Sequence, residues 1–488
     1  MVIRLEFRGS DAAREIIEGG SNYLVYGDPD IDGMVAAYLV CAYLRKKNKA
    51  FDYYINGNRS HGFYLPLEKI KGKTIIAVDF SMTEDEIKAV VDIGANIVLM
   101  DHHNISSDFI DYSNNGYRGI IINNQYTFED SKWRFLSGAG VVYYVLSYFC
   151  PEMVSEDNKA LVGITLLSDV RAIESPEAIN ILKTTYTADT PMINKLKNMT
   201  KPDKVYSFGS IKMDRNFIDY NFSPKFNSMF RANMGYEAFE FMLGYPLSRE
   251  LIEKCKDFQN TIVSYIMENL KGKDYGYLNC KYIDDENMDD VILKTASDPI
   301  FRGSMLSNYI GLVASRIKGA GCSMVYIREK DGSIQRGSFR GSADFNYLQL
   351  FKDLGGQAEG HRNAFGFNKI VDIDLQKFND ILFNMSKHIN NDGRVIEIPN
   401  MSIVQNTKNK DIPELNTYCR SQNQTYFKYV GNRSSCQVVK KTERFMLWKV
   451  DGIEIKSFDL DLTPWDNYIL PFKENGGYNV YYLRKDLF

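Results

Sequence analysis

Gly27-Asp28-Pro29-Asp30-Ile31-Asp32-Gly33 is the most informative stretch of this chain. It follows the apolar run Tyr23–Tyr26 and precedes Gly33–Arg45, where Met34, Ala37, Tyr38, Cys41 and Leu44 recur at helical spacing. A buried strand, a tight acidic turn and a helix in that order begin a β–α unit. Three carboxylates at i, i+2 and i+4 that share one side repel strongly unless cations neutralise them. A solvated Asp-rich turn is the plain alternative. A calcium loop of the EF-hand kind is disfavoured, because Leu39 and Val40 stand where its distal Glu belongs.

The pattern continues outward. Thr74–Val78 and Asn96–Met100 read as further buried strands, and each ends in an acid, Asp79 and Asp101. Asp101 leads into His102-His103-Asn104, which places together two of the chain's five histidines. Imidazole beside carboxylates suits manganese or zinc. Leu161–Asp169 is another apolar stretch closing on one acid, a helix or a strand end. With helices read at Ser137–Phe149 and Lys159–Leu167, the alternation predicts a parallel sheet covered on both faces, where ligands gather at the carboxyl ends of strands.

The chain has 488 residues, 44% apolar and 25% charged, as an ordinary globular protein does. Basic and acidic residues number 59 and 62, so any polyanion path has to come from local clustering. Residues 195–231 and 396–450 each carry a net +5. The second region mixes its charge with Tyr418, Tyr426, Phe427, Tyr429, Phe445 and Trp448. That mixture suits base stacking, although a small β domain also needs aromatics for its core. Seven cysteines without CxxC spacing argue for reduced thiols. No apolar run is long enough to span a bilayer, and Arg4, Glu6 and Arg8 interrupt any signal-peptide core, so a soluble, cytoplasmic protein is expected. Helices are expected at Ile179–Tyr186, Glu250–Leu270 and Ser304–Lys318, with an irregular stretch around Pro202, Gly209 and Pro224. A strand is expected at Cys322–Arg328 and short alternating β segments after about 395.

Taken together, D-x-D-x-D-G, V-D, D-H-H and a late S-D resemble the DHH phosphoesterase superfamily. Further stretches narrow the resemblance to RecJ-like exonucleases. These are Leu136–Val141, Pro224–Arg231 (similar to P-R-I-N-A-A-G-R), Gly311–Ile317 (similar to G-I-V-A-S-R-L), Ser338–Ser342 (S-x-R-S) and Gly360–Gly366 (G-H-x-x-A-x-G). The chain departs from the pattern at Lys225, where Arg is frequent, and at Phe230, where Gly is common. It also separates Gly355-Gly356 from Gly360-His361.

The resemblance implies an α/β protein in four parts. Residues 1–185 would be the DHH catalytic domain and 186–272 a helical connector with a basic, substrate-facing segment. Residues 273–394 would be a smaller α/β DHH-associated domain joined by the long helix; 395–488 carry no family signature, and their short alternating segments with mixed basic and aromatic residues read as a small β domain, OB-like in character. It implies a 5′-to-3′ exonuclease of single-stranded DNA, with RNA also open, acting through two divalent cations, Mn²⁺ before Mg²⁺. Asp28, Asp30 and Asp79 would hold one, and Asp32, His102 and Asp169 the other, with Asp79 bridging. His103 would meet the scissile phosphate and Asp101 would orient the histidines. Asn227, Arg231, Arg340, Gly360, His361 and, on a weaker match, Arg59 would contact the strand. A monomer is expected, with a single-strand-binding protein or helicase as partner. A nanoRNase or cyclic-dinucleotide phosphodiesterase of the same superfamily is the alternative activity. A non-catalytic replication scaffold is disfavoured because every ligand position keeps an Asp or His.

Overall fold

The computed structural model describes residues 7–55, 63–103, 110–126, 133–169, 171, 173, 175–201, 212–284, 301, 305–318, 321–341, 346–369, 374–388, 395–402, 416, 425–442, 445–473 and 479–484. The first sheet contains β1 (Tyr23–Gly27), β2 (Phe51–Ile55), β3 (Thr74–Val78), β4 (Asn96–Asp101), β5 (Asp111–Asn114) and β6 (Tyr117–Asn123). Their order is β2-β1-β3-β4-β6-β5, and all pair in parallel except the edge strand β5. Successive side chains of a strand point to opposite faces, and the sequence fills both faces with apolar groups. Val25, Ile76, Val98 and Ile120 pack into one core, beneath the helices Ile31–Lys46, Gly138–Phe149 and Glu156–Ser168. Their neighbours Leu24, Ile75, Ile97 and Ile121 pack into the other, against the helix Glu84–Asp92. The α/β class expected from the sequence is therefore the observed one.

The first core does not stop at the edge of this sheet. It continues through Phe226, Phe239, Ile262, Tyr309 and Val313 to Val325 and Ile327 of a second sheet. The long helix Arg249–Glu268 carries that continuity, with Phe258 stacked 4.4 Å from Phe301 and edge-on to Tyr309. The second sheet contains β7 (Lys271–Asp274), β8 (Leu278–Asp284), β9 (Cys322–Arg328), β10 (Ile334–Arg340), β11 (Gln357–His361) and β12 (Ala364–Lys369), in the order β11-β12-β10-β9-β8-β7. Among its described strands only β8 and β9 pair in parallel. The stretch read as irregular holds the helices Pro191–Thr200, Ser223–Arg231 and Gly235–Leu243, while 202–211 lie outside the described residues. Pro191 and Pro224 sit in first turns, where the missing N–H costs nothing.

The third sheet contains β13 (Val395–Ile398), β14 (Tyr426–Tyr429), β15 (Cys436–Lys441), β16 (Met446–Val450), β17 (Ile453–Ser457), β18 (Tyr468–Lys473) and β19 (Asn479–Arg484), in the order β13-β14-β18-β19-β17-β16-β15. Seven strands with parallel pairs at β13–β14 and β17–β19 differ from a five-stranded OB barrel. Of the aromatics expected to stack bases, Phe427, Tyr429 and Trp448 are buried in this sheet's own core, where they pack with Ile398, Ile455 and Ile469, and Tyr426 is buried as well. Tyr418 lies outside the described residues. Phe458 is 64% exposed instead, stacked 6.0 Å from Tyr482, with the Lys456 ammonium over its ring.

Candidate metal centre

The acidic turn is shaped by its end residues. Asp30 caps the helix Ile31–Lys46, its Oδ1 accepting the Gly33 amide at 3.0 Å. A side chain at Gly33 would collide with the Asp28 carbonyl at 2.4 Å, so glycine lets the turn fold back on the helix. The three acids thus leave a loop, a cap and a first helical turn, rather than one pleated strand. Asp32 is buried and accepts the Gly138 and Ala139 amides at 2.7 and 2.9 Å. Those N–H groups belong to the N-terminus of the helix Gly138–Phe149, a natural seat for a carboxylate. A Cβ at Gly138 would lie 2.3 Å from Asp79 Oδ1.

Asp79 follows β3 with φ 68°, a left-handed conformation that an aspartate rarely adopts. Its Oδ1 is buried and accepts no hydrogen bond among the described residues, although His102 Nε2 lies 3.2 Å away. The same imidazole nitrogen is 3.7 Å from Asp32 Oδ2 and 3.7 Å from Asp169 Oδ2. Asp169 follows the helix Glu156–Ser168 at its C-terminus, an end where a carboxylate is electrostatically unfavourable. The Arg171 guanidinium stands 3.8 Å from it and is itself fixed to the Arg134 and Phe135 carbonyls.

Three groups of ligand atoms lie within 4.8 Å of one another: Asp28, Asp30 and Asp79; Asp32, His102 and Asp169; and Asp79, Asp101, His102 and His103. Burial and the charges of Asp32, Asp30, Asp28 and Asp169 push the Asp79 carboxyl well above its ordinary range. Burial, then Asp169 and Asp30, raise Asp32 despite its two amide donors. Packed carboxylates that resist ionising together, one with an orphaned buried oxygen and an imidazole at hand, fit hard divalent cations with mixed O and N ligands.

The adjacent histidines differ in charge. Burial, with the nearby positive charge of Arg171, holds His102 well below the ordinary imidazole range and keeps it neutral. Burial also opposes charge on His103, but Asp101 outweighs it through a 2.7 Å hydrogen bond and raises His103 to about 9. Asp101 itself falls to about 2: burial acts to raise it, and the His103 charge and hydrogen bond overcome that. Asp101 therefore grips His103 directly. The loop carrying both rings is tied by Asn123 Nδ2 to the His103 carbonyl at 3.0 Å and by Gln125 Nε2 to the same oxygen at 2.7 Å.

The other sequence candidates spread outward. Asn227 lines a small cleft with Asp30, Ile31, Asp32, Ser168 and Asp169. Arg231, one turn along the same helix, donates to Gln259 Oε1 at 2.9 Å. Arg340 lies at the end of β10, bonded to Ser338 Oγ at 2.8 Å and resting against Gly311, where a Cβ would meet its guanidinium at 2.6 Å. Gly360 is in β11 with φ 134°, its backbone tight against Phe365, and His361 ends that strand. Gly355-Gly356 instead closes the helix Tyr347–Asp353, so the two glycine sites serve different elements. Arg59 lies outside the described residues. The sequence reading assigned no role to the Gly138 and Ala139 amides, Arg171, Asn123 or Gln125. The Leu136–Val141 segment stood out as a motif, but nothing in it says which carboxylate its amides meet.

Residues 22–167 match the family model described as DHH family, N-terminal domain. This part of the chain is a DHH-family domain. Among solved structures, the chain is similar to RecJ in complex with Mn²⁺ from Thermus thermophilus, with TM-score 0.66 and 15% identity over 99% of this chain and 72% of that one. It is also similar to RecJ in complex with Mg²⁺ from the same organism, with TM-score 0.61, 14% identity and coverage of 99% and 70%. Exonuclease RecJ bound to manganese gives TM-score 0.55, 15% identity and coverage of 80% and 97%. No curated protein matches the chain. The fold of this chain is accordingly RecJ-like.

Proposed function

We propose that the protein is a metal-dependent phosphodiesterase that degrades single-stranded DNA from its 5′ end. The observation that carries this reading is the convergence of two carboxylate-rich groups, Asp28/Asp30/Asp79 and Asp32/His102/Asp169, around one buried wall beside the Asn227 cleft. Each group would hold one divalent cation, Mn²⁺ first and Mg²⁺ second, with Asp79 shared between them. Cations held there would supply Lewis acidity toward the phosphate and a nucleophile at neutral pH. Neutral His102 is a ligand in the form that binds metal. His103, kept protonated by Asp101, offers a hydrogen bond and a positive charge to a phosphate oxygen as negative charge builds on it.

Asn227 and Arg231 would follow the strand away from the cleft. Arg340, Gly360 and His361 would grip it from the second sheet. Phe458 and Tyr482, with Lys456, offer an exposed surface for more distant bases. No described helix is long and apolar enough to cross a membrane, and we place the activity in the cytoplasm, in DNA repair, recombination or replication. The test is digestion of an oligonucleotide labelled at either end, with manganese, beside dinucleotides and cyclic dinucleotides. Early mononucleotide release from the 5′ end of long strands is expected. Preference for dinucleotides, or release from the 3′ end, would overturn this reading.

A further inference from the structure

Between the metal cleft and the second sheet, three helices bring cations together. Lys225 pairs with Glu253, and Arg231 donates to the buried Gln259 at 2.9 Å, joining the helix Ser223–Arg231 to the long helix Arg249–Glu268 at two points. Positions 253, 256 and 259 share one face of the long helix, so Lys256 stands between those two links. The third helix, Ser307–Ile317, joins them through Asn308 Nδ2, which donates to the Arg231 carbonyl at 3.3 Å. Lys256 is half-buried and makes no ion pair or hydrogen bond among the described residues. Burial first, then the charges of Arg231 and Arg316, lower its pKa, outweighing the opposing charge of Glu253, which Lys225 already pairs. A half-buried ammonium among like charges is uncomfortable, and an incoming anion relieves both the burial and the repulsion. Arg231 lies about 6 Å along the helix axis from Asn227, so an anion held here sits next to the cleft.

We propose that Lys256, Arg231 and Arg316 form a phosphate subsite, taking one phosphodiester group of a bound single strand just outside the metal cage. This deepens the reading of the chain as a strand-degrading phosphodiesterase and rests on it. Lys256 binds by charge, Arg316 closes the site from the second domain's helix, and the Lys225–Glu253 and Arg231–Gln259 links hold the face in register.

The test is the salt dependence of binding to a 3′-labelled oligothymidylate, followed by fluorescence anisotropy with metal chelated so that the strand stays intact. For a single strand, each phosphate that the protein neutralises adds about 0.7 to the steepness of log K against log salt. Lys256→Gln and Arg316→Gln are each expected to lower the slope by about that amount, and Lys256→Arg to retain it. Lys254→Gln, two residues away and paired with Glu250 on the exposed side, should leave it unchanged. Should Lys256→Gln fail to fold, Arg316→Gln and Lys256→Arg carry the comparison. A wild-type slope in Lys256→Gln, or an equal fall in Lys254→Gln, overturns the subsite while the strand reading stands. Absence of salt-dependent strand binding by the wild-type protein overturns that reading, and the subsite falls with it.

Discussion

The first and third sheets use their side chains in opposite ways. In the first, the polar residues that matter are buried: Asp28, Asp32, Asp79, Asp101 and His102 are each no more than 3% exposed, with Asp32 held by two backbone amides and Asp101 by His103. In the third, the apolar groups that could matter are exposed: Phe458 lies open beside Tyr482, whereas Trp448 and Tyr429 are consumed by the core. Buried carboxylates without cations are costly, so the first region is poised for a tightly bound ligand. An exposed ring costs little, so the third suits the weak, sequence-tolerant base stacking proposed for it.

Removing a member of the cage should break the contrast most completely. His102→Ala or Asp79→Asn should lose about 4 kcal/mol of transition-state stabilisation, roughly three decades in rate, with the fold retained by circular dichroism. Near-normal digestion by either variant would make the first region as dispensable as the third. Next in size is the response to metal. Mn²⁺ at a hundredfold excess over Kd should stabilise the wild-type protein by about 2.7 kcal/mol, seen as a raised Tm, and should do little for Asp79→Asn. Equal shifts in both would mean that the metal binds elsewhere.

Gly138→Ala probes the cage from behind. The added methyl has no room beside Asp79 Oδ1 and has to displace it or the amides that hold Asp32. A fall of about 10- to 100-fold in metal affinity is expected by isothermal titration. Phe458→Ala should have the smallest effect, about 1–3 kcal/mol on binding a long strand and none on a dinucleotide. A loss shared by the dinucleotide would erase the distinction between the two regions.

Much of the cage was legible because strand ends and motif order are local properties. An apolar run such as Thr74–Val78 followed by Asp79 announces a carboxylate at a strand's exit. Asp169 was less legible, because an apolar run ending in one acid reads equally as helix or strand, and the structure makes it a helix end. The stretch around Pro224 read as irregular because proline breaks helix interiors, and only the chain's path shows that it occupies a first turn. In the third sheet, composition supplied basic and aromatic residues but could not say which rings the core would claim.

The alternating α/β pattern, the acids at its strand ends and the identity of the candidate ligands follow from residue order, since hydrophobic periodicity and residue chemistry are written along the chain. Other properties exist only once the chain has packed. Gly138 and Ala139, over a hundred residues from Asp32, supply its hydrogen bonds. Asp101 charges His103 while His102 stays neutral. One apolar core crosses from the first sheet into the second. Distances of a few ångströms between residues far apart in the chain arise from packing, and a pKa depends on those distances rather than on neighbours in sequence.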